Sequence, residues 1–260
     1  TVQSYHLFDY LQDFNKMKIK YIFCPHANKN KYVEIYQKFN IIVIPYYIYP
    51  SNSNYTNYKR IYNTSFIGTT TYSLERPTRI RNKIVNFLQK KKNVYVKTLD
   101  NWHFNDTVFG DQLKVLKYDK MYLQHANKRE EEYSKIMSQS IFSICPLGIG
   151  PNSIRLWESF MYRSIPILIA DDLWLPEYFN VNWDKLIYKV KEDNIENIDN
   201  ILNMDAYKIK SIKKRINKFS KKFLTDNNFG KLIPLFFKKH NPFNLLISWY
   251  NMDETSERYK

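Results

Sequence analysis

SIFSICPLGIGPNSIRLWESFMYRSIPILIADDLWLP, at residues 140–176, contains two apolar runs separated by a Pro/Gly loop and a helical pattern. The runs at 141–145 and 165–170 predict buried strands, and the helical pattern begins at Asn152 and Ser153. Strand, glycine loop, helix and strand in this order predict a βαβ unit. Because backbone N–H groups point outward at a helix N-terminus, this unit also predicts a seat for an anion.

The helix of this unit carries two opposite charges close to the predicted anion seat. Arg155 and Glu158 are three residues apart, so they share a face, while Leu156, Trp157 and Phe160 lie on the other side. An arginine can clamp an anionic group with two parallel hydrogen bonds. Taken alone, the same pair is also typical of an ion pair on a solvated helix surface.

Apolar runs and helical patterns alternate through the rest of the chain. Strands are predicted at 20–24, 41–49, 65–68, 93–98, 114–116 and 186–190, and helices at 32–39, 77–90, 130–138, 194–203 and 208–224. The alternation predicts an α/β fold with a parallel sheet covered on both faces. The polar stretch 50–57, PSNSNYTN, predicts a linker. We therefore expect a reduced N-terminal α/β unit and linker at 1–57, a Rossmann-like domain at 58–240, and a C-terminal tail or helix at 241–260.

Composition indicates a packed protein with anionic partners. The chain has 260 residues, 44% of them hydrophobic, and a formal net charge of +15. Nucleic acid, a membrane surface and a phosphorylated small molecule are the three classes of partner that fit this charge. No zinc-finger spacing or RNP-like aromatic motif is present, which disfavours nucleic acid. The lysine-rich pattern at 208–222 predicts an amphipathic helix with a solvated basic face, although peripheral membrane contact is possible.

The two cysteines, Cys24 and Cys145, each lie inside an apolar run, so we expect buried free thiols rather than a disulfide or a metal pair. No apolar run is long enough to span a bilayer, and no signal peptide is visible. The chain begins at Thr1 without a methionine, which leaves room for a missing N-terminal segment. These features predict a cytoplasmic location.

Residues 132–190 resemble the exostosin-like glycosyltransferase family, and the short chain is similar to bacterial and large-DNA-virus members. The resemblance extends over about residues 60–205. It is carried by Tyr133, the strand and loop from Ser140 to Ser153, Arg155 with Glu158, Ile165-Pro166-Ile167, Leu175-Pro176, Asn182-Trp183, the closing strand 186–190, and Phe66-x-Gly68 with Arg79 and Arg81. If the resemblance holds, the fold is GT-B-like and a Rossmann-type domain binds a nucleotide-sugar donor. The location would be a host cytoplasm if the protein is viral.

The resemblance implies an inverting glycosyltransferase that moves a sugar from a UDP-sugar to a hydroxyl of a glycan or polysaccharide. Xylose, galactose, glucuronic acid and N-acetylglucosamine stay open as the donor sugar. No cofactor or metal is obligatory in this reading, because cations and helix-terminal N–H groups stabilise the leaving diphosphate. The donor-binding residues it implies are Gly68, Arg79, Arg81, Gly150, Asn152, Ser153, Arg155 and Glu158, with Glu158 on the ribose hydroxyls.

Inversion requires a general base for the acceptor hydroxyl. His26 follows the predicted strand 20–24, and its ordinary pKa suits the role. Other candidates in predicted loops are Glu75, His103, Asp106 and Asp111. Asp171 and Asp172 follow a strand and fit a loop that faces the sugar, so we do not expect a metal site there.

Two alternative functions use the same features. The first is a non-catalytic basic protein that binds nucleic acid or an anionic membrane, which the net charge favours. The second is a transferase of a nucleotide-activated alditol or phosphate, which the region around His26 could also serve.

Overall fold

The computed structural model describes residues 10–19, 21–28, 40–45, 58–70, 79–99, 120–148, 150–176 and 181–224, with backbone alone at residue 40 and at 120–127. The helix predicted at 32–39, the linker at 50–57, the strand at 114–116 and the tail at 241–260 lie outside these ranges. No helix within them is both long enough and apolar enough to cross a bilayer.

Helices and strands alternate through the described ranges. The helices are α1 (Leu11–Lys16), α2 (Ile80–Leu88), α3 (Lys120–Gln139), α4 (Ile154–Met161), α5 (Ile198–Leu202) and α6 (Ala206–Phe223). The strands are β1 (Tyr21–Cys24), β2 (Asn40–Val43), β3 (Tyr62–Thr69), β4 (Val94–Leu99), β5 (Ser140–Pro146), β6 (Ile165–Ile169) and β7 (Tyr188–Lys189). Short 3₁₀ turns lie at Trp183–Lys185 and Ile195–Asn197.

Five of the strands form one parallel sheet in the order β4-β3-β5-β6-β7. The order reverses between β3 and β5, and in such sheets a ligand crevice opens outside the carboxyl ends of the strands at the reversal. β1 and β2 pair in parallel as a separate two-stranded sheet. The α/β class and the Rossmann-type parallel sheet predicted from the sequence are therefore confirmed.

The core of the large sheet is held by α4 and α6. Leu156, Trp157 and Phe160 of α4 are fully buried, and the Phe160 ring lies 5.0 Å from that of Phe219 on α6. Trp183 completes this aromatic cluster, with its ring 6.0 Å from Trp157 and 5.4 Å from Phe219. Aromatic rings at these separations bury large apolar areas and attract each other at edge-to-face angles.

Several predicted elements have different ends in the structure. The strand predicted at 41–49 ends at Val43, two residues before Pro45, which has no N–H to donate to a neighbouring strand. The helix predicted at 130–138 begins ten residues earlier, at Lys120. The helix predicted at 194–203 is a 3₁₀ turn followed by α5, and the strand predicted at 186–190 shortens to two residues.

Arg60 joins the C-terminal ends of two helices. Its Nη1 donates to the carbonyls of Met137 (3.1 Å) and Ser140 (2.6 Å), and its Nη2 donates to those of Tyr162 (2.6 Å) and Arg163 (3.1 Å). The last carbonyls of a helix have no partner within the helix. One guanidinium thus satisfies carbonyls at the ends of both α3 and α4.

The two cysteines are buried free thiols, as the sequence predicts. Burial raises the pKa of Cys24 and of Cys145 to about 12. Both thiols therefore stay protonated and serve as small packing groups.

Candidate functional site

Two arginines that the sequence singles out lie at the carboxyl ends of β3 and β5, where the reversal of strand order predicts a crevice. Arg81, on α2, donates from Nε and Nη2 to the carbonyl of Leu147 (3.2 and 3.1 Å) and from Nη1 to that of Thr69 (3.1 Å). Leu147 follows β5 and Thr69 ends β3. Arg81 therefore fixes the two loop starts that form the walls of the crevice.

Arg155, on α4, contacts the same two strands. Its Nη2 donates to the carbonyl of Ile67, its Nη1 lies 3.5 Å from the carbonyl of Ile144, and its charge is 5.0 Å from the centre of the Phe66 ring. A guanidinium has five N–H donors. Its described contacts with Ile67, Ile144 and Tyr133 use only part of this capacity, and they anchor Arg155 against β3, β5 and α3.

Gly68 makes room for the guanidinium group of Arg155. A Cβ at this position would lie 3.2 Å from Nη2 of Arg155 and 3.7 Å from Nη1 of Arg81. The nearer distance is tighter than ordinary van der Waals contact, so a larger residue would displace Arg155. The resemblance places Gly68 among the donor-binding residues, and the structure adds a steric reason for a glycine there.

Tyr133, on α3, connects Arg155 to Glu158. Its hydroxyl donates to Oε2 of Glu158 (2.6 Å) and accepts from Nε of Arg155 (3.5 Å). Burial raises the pKa of Glu158, and the Tyr133 hydrogen bond and the Arg155 charge offset this only in part. Arg155 and Glu158 are thus parts of a half-buried network, and the alternative of a solvated surface pair does not describe them.

The predicted anion seat at the start of α4 is partly filled by groups of the chain itself. The backbone N–H of Ser153 donates to Oδ1 of Asn152 (2.8 Å), and the backbone N–H of Asn152 donates to Nδ1 of His26 (3.4 Å). Oδ1 of Asn152 also accepts from Nε1 of Trp157 (3.1 Å), and its Nδ2 donates to the carbonyl of Pro25 (2.7 Å). Asn152 therefore holds the helix start in place and is 2% exposed.

His26 follows β1 and lies against the loop that precedes α4. It is 5% exposed, and burial lowers its pKa from 6.5 to about 3. Because Nδ1 accepts a hydrogen bond, the neutral ring carries its proton on Nε2. A general base works best with a pKa near the working pH, so this environment is unfavourable for the role predicted for His26.

Asp171 and Asp172 follow β6 and make separate contacts. The carboxylate of Asp171 accepts from the backbone N–H of Glu192 (3.3 Å), and that of Asp172 accepts from Nδ2 of Asn28 (3.2 Å). In the described part of the chain, no group of three or more His, Cys, Asp or Glu side chains is placed to hold a metal ion.

The predicted site residues thus fall into two groups. Gly68, Arg81 and Arg155 lie together at the carboxyl ends of β3 and β5, and Tyr133 joins Glu158 to Arg155. His26 and Asn152 bond to each other at the start of α4, where the N–H of Ser153 also bonds to Asn152. Arg79 is exposed at the N-cap of α2, and Gly150 is buried in the loop before α4. The candidate bases Glu75, His103, Asp106 and Asp111 lie outside the described residues. Tyr133 was not predicted as a site residue, although the sequence motif includes it.

A family model described as the exostosin GT47 domain matches residues 11–204. The chain belongs to the exostosin GT47 family. This match covers most of the chain and includes the crevice and the unit around β1 and β2. The family resemblance expected from the sequence is therefore confirmed.

This exostosin-family chain is similar to plant proteins over part of its length. A probable glucuronosyltransferase of rice (Oryza sativa subsp. japonica) is 31% identical over 131 residues, which are 50% of this chain and 30% of the rice protein. Probable glucuronosyltransferase 47 A of Physcomitrium patens is 40% identical over 70 residues, which are 27% of this chain and 16% of the moss protein. The chain thus matches less than a third of the length of either relative.

Among solved structures, the pneumococcal O-GlcNAc transferase GtfA in complex with UDP and GlcNAc aligns with 91% of this exostosin-family chain and 48% of its own. The identity is 15% and the TM-score is 0.42.

Proposed function

We propose that this chain is an inverting glycosyltransferase that moves a sugar from a UDP-sugar to a hydroxyl of a glycan or polysaccharide. The observation that carries the proposal is the pair of guanidinium groups, Arg81 and Arg155, at the strand reversal of a chain of the exostosin GT47 family. The relatives are named as probable glucuronosyltransferases, which favours glucuronic acid among the candidate donor sugars. Xylose, galactose and N-acetylglucosamine stay in the panel to be tested.

The chemistry assigns a distinct task to each crevice residue. As the bond from the sugar C1 to the diphosphate oxygen breaks, negative charge builds on the leaving diphosphate. Arg155 lies where a fixed positive charge would stabilise that group, and Arg81 holds both walls of the crevice and adds a second charge. Glu158, held by Tyr133, would accept hydrogen bonds from the ribose hydroxyls. Gly68 keeps the approach to Arg155 open.

In an inverting reaction, the acceptor oxygen attacks C1 from the face opposite the diphosphate, and a base removes its proton. His26 is the base candidate of the N-terminal unit, although its low pKa favours a role in positioning Asn152. Glu75, His103, Asp106 and Asp111 are the alternatives. His26→Asn separates these roles, because an amide oxygen can accept the Asn152 hydrogen bond but cannot serve as a base of useful strength. Full turnover in His26→Asn would assign the base to another residue. A loss of turnover with unchanged UDP affinity would support His26 as the base.

In this proposal, the donor and the acceptor bind to the parts of the chain that carry the two different sheets. The donor would bind to the 58–240 unit, and the acceptor would approach from the 1–57 unit. Two contacts between these parts of the chain support this arrangement. Nδ2 of Asn152 donates to the backbone carbonyl of Pro25 (2.7 Å), and the backbone N–H of Trp174 donates to the backbone carbonyl of Ala27 (3.0 Å). An acceptor bound there would face the crevice. No metal has an assigned role in this proposal.

The test is thermal stabilisation by UDP, GDP, CMP and their sugars, with and without a chelator. A ligand that binds the folded state raises the melting temperature according to its concentration relative to Kd. Stabilisation by UDP and more strongly by one UDP-sugar, unaffected by the chelator, supports the proposal. Nuclear magnetic resonance of the product then gives the anomeric configuration, and a retained configuration would overturn inversion. A phosphate or alditol in the product would instead identify the alternative transferase.

No response to any nucleotide would favour the other alternative, a non-catalytic basic binding protein. Arg215→Ala is a suitable control in these experiments, because Arg215 is exposed on α6, outside the crevice. Its response to nucleotides should match that of the unmodified chain.

A further inference from the structure

The outer face of α6 is strongly basic. The helix holds eight basic residues and no acidic one; they are Lys208, Lys210, Lys213, Lys214, Arg215, Lys218, Lys221 and Lys222. Its buried side consists of Ile212, Ile216, Phe219 and Phe223, which pack into the main core. All the basic residues except Lys213 are exposed. Packing against the core therefore fixes the direction in which this basic face points.

A row of three lysines runs along the middle of this face. Lys210, Lys214 and Lys218 are spaced by four residues, which places them above one another on the surface of a helix. Like charges at this spacing repel each other. Within the described residues, the salt bridge on α6 joins Lys208 to Asp205 at the start of the helix (3.6 Å) and does not involve this row. An external anionic partner would relieve the repulsion.

The positive charge continues from α6 onto the end of α4. Burial and then the charges of Arg60 and Arg163 lower the pKa of Lys213 to about 8. Arg60 lies against the carbonyl of Arg163 (3.1 Å), so these three cations form one neighbourhood. The basic surface is therefore broader than a single row of side chains.

We propose that the outer face of α6 docks on the anionic leaflet of a lipid bilayer. The exposed face of a surface helix can present its charges to a plane and needs no groove for this contact. Each lysine or arginine close to an anionic leaflet favours partitioning by about fivefold. Tyr207 is 83% exposed and lies seven residues before Lys214, and therefore on the same face. Tyrosine is typical of the membrane–water interface, where its ring and hydroxyl meet different environments.

The positive charge of the outer face of α6 would also attract a nucleic acid, but the shape and composition of this face favour a bilayer. Proteins that bind single strands combine basic grooves with successive aromatic side chains on which bases stack. The exposed face of α6 is convex and carries one aromatic residue, Tyr207. The contact is independent of glycosyl transfer and places the chain at a membrane whatever its reaction.

The experiment is co-sedimentation of the full chain with vesicles. We expect binding to vesicles of phosphatidylcholine mixed with phosphatidylserine, loss of binding at high salt, and none to phosphatidylcholine alone. Neutralising the central row in Lys210→Gln/Lys214→Gln/Lys218→Gln should weaken partitioning by about a hundredfold. The matched control is Lys83→Gln/Lys90→Gln/Lys92→Gln, which removes the same charge from exposed positions on and after α2. It should change partitioning much less.

Equal losses in the two triple variants would overturn the proposal, because net charge rather than the α6 face would then control binding. Absence of vesicle binding would overturn it as well. A third overturning result is tighter binding to duplex DNA or single-stranded RNA than to the anionic vesicles at the same salt, with the α6 variant losing that binding. Circular dichroism of both variants checks that the fold is kept.

Discussion

At the scale of single residues, the absence of a side chain at Gly68 leaves room for the Arg155 guanidinium. In Gly68→Ala, the new Cβ would lie 3.2 Å from Nη2 of Arg155. The crowded atom ends a flexible side chain, so we expect Arg155 to shift and the fold to survive. UDP affinity should fall by about 1–2 kcal/mol, as expected for a weakened hydrogen bond to a charged group. Calorimetric titration measures it, and unchanged affinity would show that the position of Arg155 is not critical.

His26 makes stability depend on pH. The folded chain holds its imidazole neutral down to a pKa of about 3, whereas the unfolded chain binds a proton near pH 6.5. As the pH falls from 6.5 towards 3, the His26 imidazole binds a proton in the unfolded state but not in the folded state. The free energy of unfolding therefore decreases by up to about 1.4 kcal/mol per pH unit.

The matched variant for this prediction is His26→Asn, which keeps an acceptor for the Asn152 N–H but does not titrate. Urea unfolding at several pH values between neutrality and mild acid should give a shallower decline for the variant. Parallel declines in the two proteins would mean that His26 is not held neutral in the folded state.

At the scale of elements, α6 is attached to the sheet through aromatic packing against α4. Phe219 is 5% exposed and lies close to the rings of Phe160, Trp183 and Phe223. Phe219→Ala should lower the free energy of unfolding by about 3–5 kcal/mol, because it removes apolar contacts and leaves a cavity. The neighbouring exposed Lys218→Ala should change it by about 0.5 kcal/mol or less. Denaturant unfolding measures both, and similar small effects would contradict this packing.

The β5–α4–β6 unit could be predicted closely because its signals are local. Apolar runs, a glycine loop and a helical period identify each element within a residue or two of its observed ends. The beginning of α3 had no such signal, because residues 120–129 lack an apolar period. The anion seat was only partly predictable: its N–H groups are taken by Asn152 and by His26, which is 126 residues distant in sequence.

At the scale of the whole molecule, the features that the sequence did not predict are contacts between residues far apart in the chain. Arg60 bonds to carbonyls 77–103 residues away, and Tyr133 bonds to Glu158 across two elements. No local pattern encodes which carbonyl an arginine will reach. The sequence predicted strands at β3 and β5 and the helix that carries Arg155 and Glu158, but not that Tyr133 would connect these two side chains.

The central claim is that the crevice between β3 and β5 binds a nucleotide diphosphate through Arg155. Calorimetric titration of UDP into the unmodified chain, Arg155→Ala and the surface control Arg215→Ala tests it most directly. We predict that Arg155→Ala loses about 2–4 kcal/mol of binding free energy, because a charge-assisted clamp is removed, and that Arg215→Ala binds normally. Melting temperatures show whether each variant is folded. Equal UDP affinity in a folded Arg155→Ala, or no binding to the unmodified chain, would contradict the claim.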